Sequence, residues 1–171
     1  DNLKNQQVSI RVSGDGTVQN TSVRTETYIE DMAPSGYGLV RIALEGETEI
    51  GLKLAGNIKE VVNYTPGSAL SLERGTAEKI TVDEKATSST LEIVSGAVAD
   101  EVNLDVGTTV TGSGDINKLV VNANGSTVSM LPDQITIRPG NTANIAGEEM
   151  DSNAAAESSA DPRMLAGYPK I

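Results

Sequence analysis

Short apolar anchors recur along this chain at intervals too close for separate domains and too regular for an irregular loop. One series runs Ile42, Val62, Val82, Leu104, Val121 and Ile137; a second, Ile50, Leu70, Leu91, Val110, Val128 and Ile145, interleaves with it. Self-similarity on a scale of about 20 residues marks a stacked-repeat architecture. Around each anchor lie Val, Ile and Thr in alternating runs with little helical period, which is strand composition. Two such strands per repeat cannot bury an apolar face alone, but they do so by stacking on the next copy.

The turn residues fall where that scheme needs them. Gly67, Gly107 and Gly125 sit between paired anchors, and Gly75, Gly96 and Gly114 separate successive copies. Asn63, Asp83, Asp105 and Asn122 follow the first-series anchors, and stacked copies would align them as a polar corner ladder. The expected fold is therefore all-β: a parallel β-helix (β-solenoid) of about six coils, right-handed by the general rule for parallel crossovers. At about 4.8 Å per rung the coils make a rod roughly 24 to 29 Å long. Residues 39–150 carry the coils. Residues 1–38, where Val8, Ile10 and Val12 alternate before Gly14-Asp15-Gly16, read as an N-terminal β cap, with further coils as the alternative. Residues 1–150 thus make one domain; 151–171, without apolar period, read as an irregular linker and the start of a following module. In the second coil either Val61 or Val62 can point inward. Val62 is preferred because Val61-Val62-Asn63 reads like Val120-Val121-Asn122.

Composition removes several chemistries. The 171 residues include no His, Cys, Trp or Phe, so there is no imidazole base, thiolate, Cys/His zinc site or disulfide. With 24 acidic against 13 basic side chains the formal charge is −11, which argues against nucleic acid as a partner. No run approaches the roughly 20 apolar residues that cross a bilayer, so no membrane insertion is expected. The chain opens on polar Asp1-Asn2-Leu3-Lys4-Asn5, without the pattern of a signal sequence.

Paired carboxylates are the remaining catalytic equipment, because glycosidases run on Asp and Glu without His. The candidates are Asp83-Glu84, Asp100-Glu101 with Asp105, and Glu148-Glu149 with Asp151; corner acids of this kind mostly form a solvated exterior. Calcium is a weak expectation. Asp83, Asp100, Asp105 and Asp115 supply hard oxygens, but Gly112-Ser-Gly-Asp115 lacks the paired glycines of a calcium nonapeptide and does not recur. It reads as a tight turn, as does Gly14-Asp15-Gly16. No phosphate-binding loop is present, and no Ser is singled out beside a base. Sugar-binding faces usually use aromatic platforms, which makes Tyr37 and Tyr64 the weak ligand-binding candidates among four scattered tyrosines. Lys79, Glu101 and Lys118 each precede an anchor, so stacking would set opposite charges side by side and favour correct register.

The run Gly14-Asp-Gly-Thr-Val-Gln-Asn-Thr-Ser-Val23, then Ile29-Glu-Asp31, Asn57-Ile-Lys-Glu-Val-Val-Asn and Asp115-Ile-Asn-Lys-Leu-Val-Val-Asn-Ala-Asn-Gly125, resembles the β-solenoid region of Gram-positive cell-surface proteins that also carry S-layer homology domains. The resemblance covers about residues 8–147. In that family a following module often opens with a phrase similar to Gly167-Tyr-Pro-Lys-Ile171. The resemblance implies an extracellular, cell-surface location, adjacent modules of the same polypeptide as partners, and wall or extracellular polysaccharide nearby. S-layer homology modules themselves are not visible in this sequence. The functional expectation is a non-catalytic structural or spacer module without cofactor. A carbohydrate-binding or adhesive module is the first alternative, and a carboxylate-dependent polysaccharide lyase or hydrolase the second.

Overall fold

The computed structural model describes residues 7–160. In chain order the first eight strands are β1 (Val8–Val12), β2 (Val18–Val23), β3 (Thr27–Asp31), β4 (Leu39–Leu44), β5 (Gly51–Ala55), β6 (Ile58–Asn63), β7 (Ala69–Arg74) and β8 (Thr76–Val82). Then follow β9 (Thr90–Ile93), β10 (Val98–Leu104), β11 (Thr109–Gly112), β12 (Asp115–Val121), β13 (Ser126–Val128), β14 (Gln134–Ile137), β15 (Thr142–Ile145), β16 (Glu148–Asp151) and the helix α1 (Ser152–Ala160).

Odd strands stack on odd and even on even. β1 to β15 form one sheet in the order of every second strand, and β2 to β14 form the other. All these pairings are parallel; β16 alone closes back antiparallel on β15. This is the expected β-solenoid, with seven full two-strand turns and the first strand of an eighth. From β1 to β15 it is about 34 Å long at 4.8 Å per rung. The segment before residue 39 is not a cap. β1, β2 and β3 pair in register with β3, β4 and β5, so it adds coils to the stack.

The apolar columns explain both the successes and the misses of the anchor series. Leu70, Leu91, Val110, Val128 and Ile145 lie directly over one another. Leu52, not Ile50, precedes Leu70 in that column, which continues to Thr27 and Val8: Ile50 belongs to the turn before β5, where it is half-buried with its Cδ1 close to Gly46. The first series divides between two columns. One is Ile42, Val61, Ile80, Val102, Leu119 and Ile135; the other is Leu44, Asn63, Val82, Leu104, Val121 and Ile137. Val61 is therefore the inward residue, fully buried on Ile42 and Ile80, and the preference for Val62 is corrected. The cause is a pair of consecutive outward residues in each even strand from β4 to β12: Val40-Arg41, Lys59-Glu60, Glu78-Lys79, Asp100-Glu101 and Asn117-Lys118. Each pair shifts the parity of the strand, so simple alternation miscounts by one across it.

Asn63 stands in an otherwise apolar column between Leu44 and Val82 and is fully buried. Its side chain is satisfied. Oδ1 accepts the Thr65 N–H at 2.9 Å and Nδ2 donates to Ser68 Oγ at 2.7 Å, while the single Ser68 hydroxyl proton is shared between Oδ1 at 3.0 Å and the Thr65 carbonyl at 2.8 Å. Ser68 and Ser89 meet across rungs at 3.2 Å, and both reach the Thr65 carbonyl. Burying these groups is tolerable only because they bond one another. Asn63→Ala should cost about 1 to 3 kcal/mol by leaving the buried Thr65 amide without its acceptor. Denaturant unfolding measures this; a loss within error would place the network outside the folded core.

The two ends differ. At the C-terminal end Asp151 Oδ1 accepts the N–H of Asn153 (3.0 Å) and Ala154 (2.9 Å), an N-cap on α1. Ala155 is buried against the last rung, and α1 packs on β14. Residues 152–160, expected as irregular linker, are thus helical. Their Ala-rich run has strong helix propensity, and the cap and docking surface supply what an amphipathic stripe usually would. Gly167-Tyr-Pro-Lys-Ile171 lies outside the described residues.

Candidate functional site

The paired outward residues of the even strands stack into two ladders on one face of the rod. One runs Asn20, Arg41, Glu60, Lys79, Glu101, Lys118 and Gln134. From Arg41 to Lys118 its charges alternate in sign. Arg41 pairs with Glu60 at 3.1 Å, and Glu101 is shared by Lys79 at 3.7 Å and Lys118 at 3.1 Å. The expected side-by-side placement of Lys79, Glu101 and Lys118 is found. The Arg41–Glu60 pair was missed, although counting nineteen residues back from Lys79, and again from Glu60, reaches both.

A hydrogen bond from Asn103, followed by one from Lys118, holds the Glu101 carboxyl below its ordinary value against the opposing effect of burial; the charges of Lys118 and Lys79 add to the lowering. A carboxylate depressed by folding adds stability above its unfolded value, and that stability is lost as pH falls through the folded one. Thermal stability should therefore decline as pH drops below the ordinary glutamate value of 4.5. Glu101→Gln should flatten part of that decline and lower stability at neutral pH and low salt by at most about 1 kcal/mol. Identical pH profiles for the two proteins would remove Glu101 from the account.

The second ladder, one residue earlier on each rung, runs Val40, Lys59, Glu78, Asp100 and Asn117. Over the first four turns the two ladders line an open groove of about 410 Å³, with Gln19 and Asn20 at one end and Glu78 and Lys79 at the other. Both candidate tyrosines attach to this face. Tyr37, in the loop before β4, donates its hydroxyl to Glu78. That bond, then burial, then the charges of Glu78 and Asp100 push its pKa above the usual tyrosine value. Arg41 Nη2 donates to the Tyr64 hydroxyl at 3.2 Å, and Lys85 Nζ stands 6.0 Å from the centre of the Tyr64 ring. The loop bearing Tyr37 is fixed from below: the Asp31 carboxylate accepts the N–H groups of Ala33 (2.9 Å), Gly38 (2.7 Å) and Leu39 (3.0 Å). A second groove of about 390 Å³ runs along the odd-strand sheet past Lys53, Ser71, Glu92 and Thr111.

The candidate carboxylates are engaged locally, and Asp83 and Asp105 stack on adjacent corners about 4.8 Å apart along the rod. Asp100 accepts from Asn117 Nδ2 at 2.8 Å and Asp105 from Asn122 Nδ2 at 2.6 Å; five residues of strand put them about 16 Å apart, beyond the 5 to 9.5 Å of glycosidase acid pairs. Asp83 accepts the Lys85 N–H at 3.1 Å, closing a turn. Glu148, Glu149 and Asp151 lie along β16, where Asp151 caps α1. Asp115 opens β12 with its N–H on Ala97. Among the described residues no three acidic side chains converge as they would around a cation, so Asp83, Asp100, Asp105 and Asp115 do not form one site. The corner ladder holds for Asp83, Asp105 and Asn122, which follow paired Val82, Leu104 and Val121. Tyr64 takes the place expected for Asn63.

No family model matches this chain, and no curated protein matches it. Among solved structures it is similar to a chitinase from Paenibacillus sp. str. FPU-7, a bacterial cell-surface-expressed multi-modular enzyme. The TM-score is 0.66 and the identity 18%, over 82% of this chain and 13% of that one. At that identity the likeness shows the fold, and the chain spans about an eighth of the length of that protein. No helix among the described residues is long and apolar enough to cross a membrane.

Proposed function

We propose that this chain is a non-catalytic spacer module of an extracellular bacterial surface protein, holding adjacent modules of the same polypeptide at a fixed separation. The observation that carries the reading is the unbroken register of the apolar columns from β4 to β14. A stack in which each rung touches only its neighbours is a stiff rod. The candidate acids support it too, since they are tied to turns and amides and not to each other. A surface-expressed multi-modular protein with a module of this fold gives the setting; the S-layer type of that setting follows from the sequence resemblance alone. The module uses no cofactor, and its corner acids Asp83 and Asp105 make a stacked pair and not a cluster of three. The test is incubation with a broad panel of acidic and neutral polysaccharides, with and without calcium. The expected result is no reducing-end release; release that disappears in Asp100→Asn or Asp105→Asn would establish the hydrolase or lyase reading instead.

A second reading, a carbohydrate-binding module, is favoured by one feature: the groove beside Tyr37, where Gln19, Asn20, Lys59 and Glu60 present amides and charges on rigid strands. Clefts with a few fixed polar groups are the usual form of ligand sites. Reproducible glycan-array binding that is abolished by Tyr37→Ala, but not by Tyr28→Ala on the other sheet, would replace the spacer with this reading.

A further inference from the structure

We propose that the N-terminal end of the rod is a self-association surface, where two copies meet end to end through β1 and β2 about a two-fold axis and join their apolar columns. Among the described residues β1 and β2 are edge strands, each with one neighbour. The residues they carry are those of an interior rung. Ile10 stands over Ile29 and Leu54, and Val18 over Leu39 and Ile58. Every residue beneath is fully or almost fully buried, whereas Val8, Ile10 and Val18 remain 40%, 38% and 41% exposed. Three of the five large exposed apolar side chains among the described residues thus lie on this one end.

Natural sheets protect free edges with charge, proline, bulges or a covering element. The C-terminal end has two of these: β16 (Glu-Glu-Met-Asp) is three-quarters carboxylate, and α1 covers β14. Among the described residues the N-terminal end has neither. β1 and β2 contain no Pro, Lys, Asp or Glu, and the single cation, Arg11, is paired with Glu30 at 3.0 Å. In a chain of charge −11, this is a face that self-association does not oppose electrostatically.

The same asymmetry selects the occupant. A second copy arriving by its C-terminal end would offer only β16, since α1 blocks the edge of β14, and Val18 on β2 would stay uncovered. Another N-terminal end offers two strands unpaired on their outer edges among the described residues, with matching apolar residues. Such a contact is isologous and closes at a dimer. The contact is small, so its affinity is modest.

Sedimentation equilibrium of the full chain is the test, run up to about 0.5 mM, where a contact worth only 4 to 5 kcal/mol still registers. The expected result is a reversible monomer–dimer equilibrium with no larger species. Ile10→Lys and, separately, Val18→Lys should weaken it at least tenfold while leaving the thermal transition within a few degrees. Because the chain has no Cys, Ser9→Cys should give a disulfide-linked dimer under oxidation, and Ser129→Cys at the far end should not. A monomer throughout overturns the proposal, as does open-ended growth or a dimer indifferent to both lysine variants. If deletion of residues 1–6 is needed before dimers form, the chain's own start covers this end and the proposal also falls.

Discussion

Leu119→Ala should lower stability by about 2 to 5 kcal/mol, the usual cost of a cavity in a packed core. Leu119 is fully buried between Val102 on one rung and Ile135 on the next. For a chain of this size that is a fall of roughly 4 to 20 °C in Tm. The matched control is Asn124→Ala. Asn124 Oδ1 accepts the Thr142 N–H at an exposed corner at 2.8 Å, a bond worth about 1 kcal/mol. Architecture adds a second expectation. In a stack of nearest-neighbour contacts a weakened rung uncouples what lies beyond it, so hydrogen exchange in Leu119→Ala should rise in β12 to β16 and α1 before it rises in β4 to β8. Equal, small losses for both variants would put Leu119 outside the core.

What the sequence made legible was the period; what it concealed was parity. Leu70, Leu91, Val110, Val128 and Ile145 were identifiable as one column because the odd strands keep register there, the extra residue between Leu72 and Arg74 of β7 lying beyond the column. The even strands contain a doubled outward step, Glu78-Lys79 or Asp100-Glu101, and nothing in a hydrophobicity pattern marks where two polar residues in a row lie outside together. Hence Val61 and Val62 were exchanged, and Ile42 was set over the wrong neighbours. Asn63 hid for a different reason: an inward Asn is tolerable only with Thr65, Ser68 and Ser89 around it, and the Ser89 contact crosses to another rung.

The geometry of the groove face was less accessible still. Tyr37 and Tyr64 were picked out only as rare aromatics. Their partners, Glu78 and Arg41, are 41 and 23 residues away and become neighbours only once register is known. The N-terminal coils were obscured by the loop of residues 32–38, which lengthens the second turn and breaks the period. Asp31 at its base, accepting three backbone N–H groups, lets the chain leave the stack and return in register.

Rung spacing is also set by glycine, and Gly75→Ala measures how strictly. Gly75 lies between β7 and β8 at φ +84°, directly over Gly56, between β5 and β6 at φ +103°. A Cβ on Gly75 would fall well inside van der Waals distance of the Gly56 carbonyl oxygen. Two costs therefore add. Left-handed geometry costs an L-residue about 1 to 2 kcal/mol, and overpacking against backbone that cannot rotate away costs about 1 to 3 more. Gly96→Ala separates them: it has the same geometry, φ +86°, with open space where the Cβ would go. Gly96→Ala should thus lose only the first part, and Gly75→Ala about 2 to 5 kcal/mol. The difference between the variants is the steric resistance of two stacked corners. A difference near zero in paired unfolding titrations would mean that adjacent rungs can part at that corner without loss, and the rod would then be softer than a spacer requires.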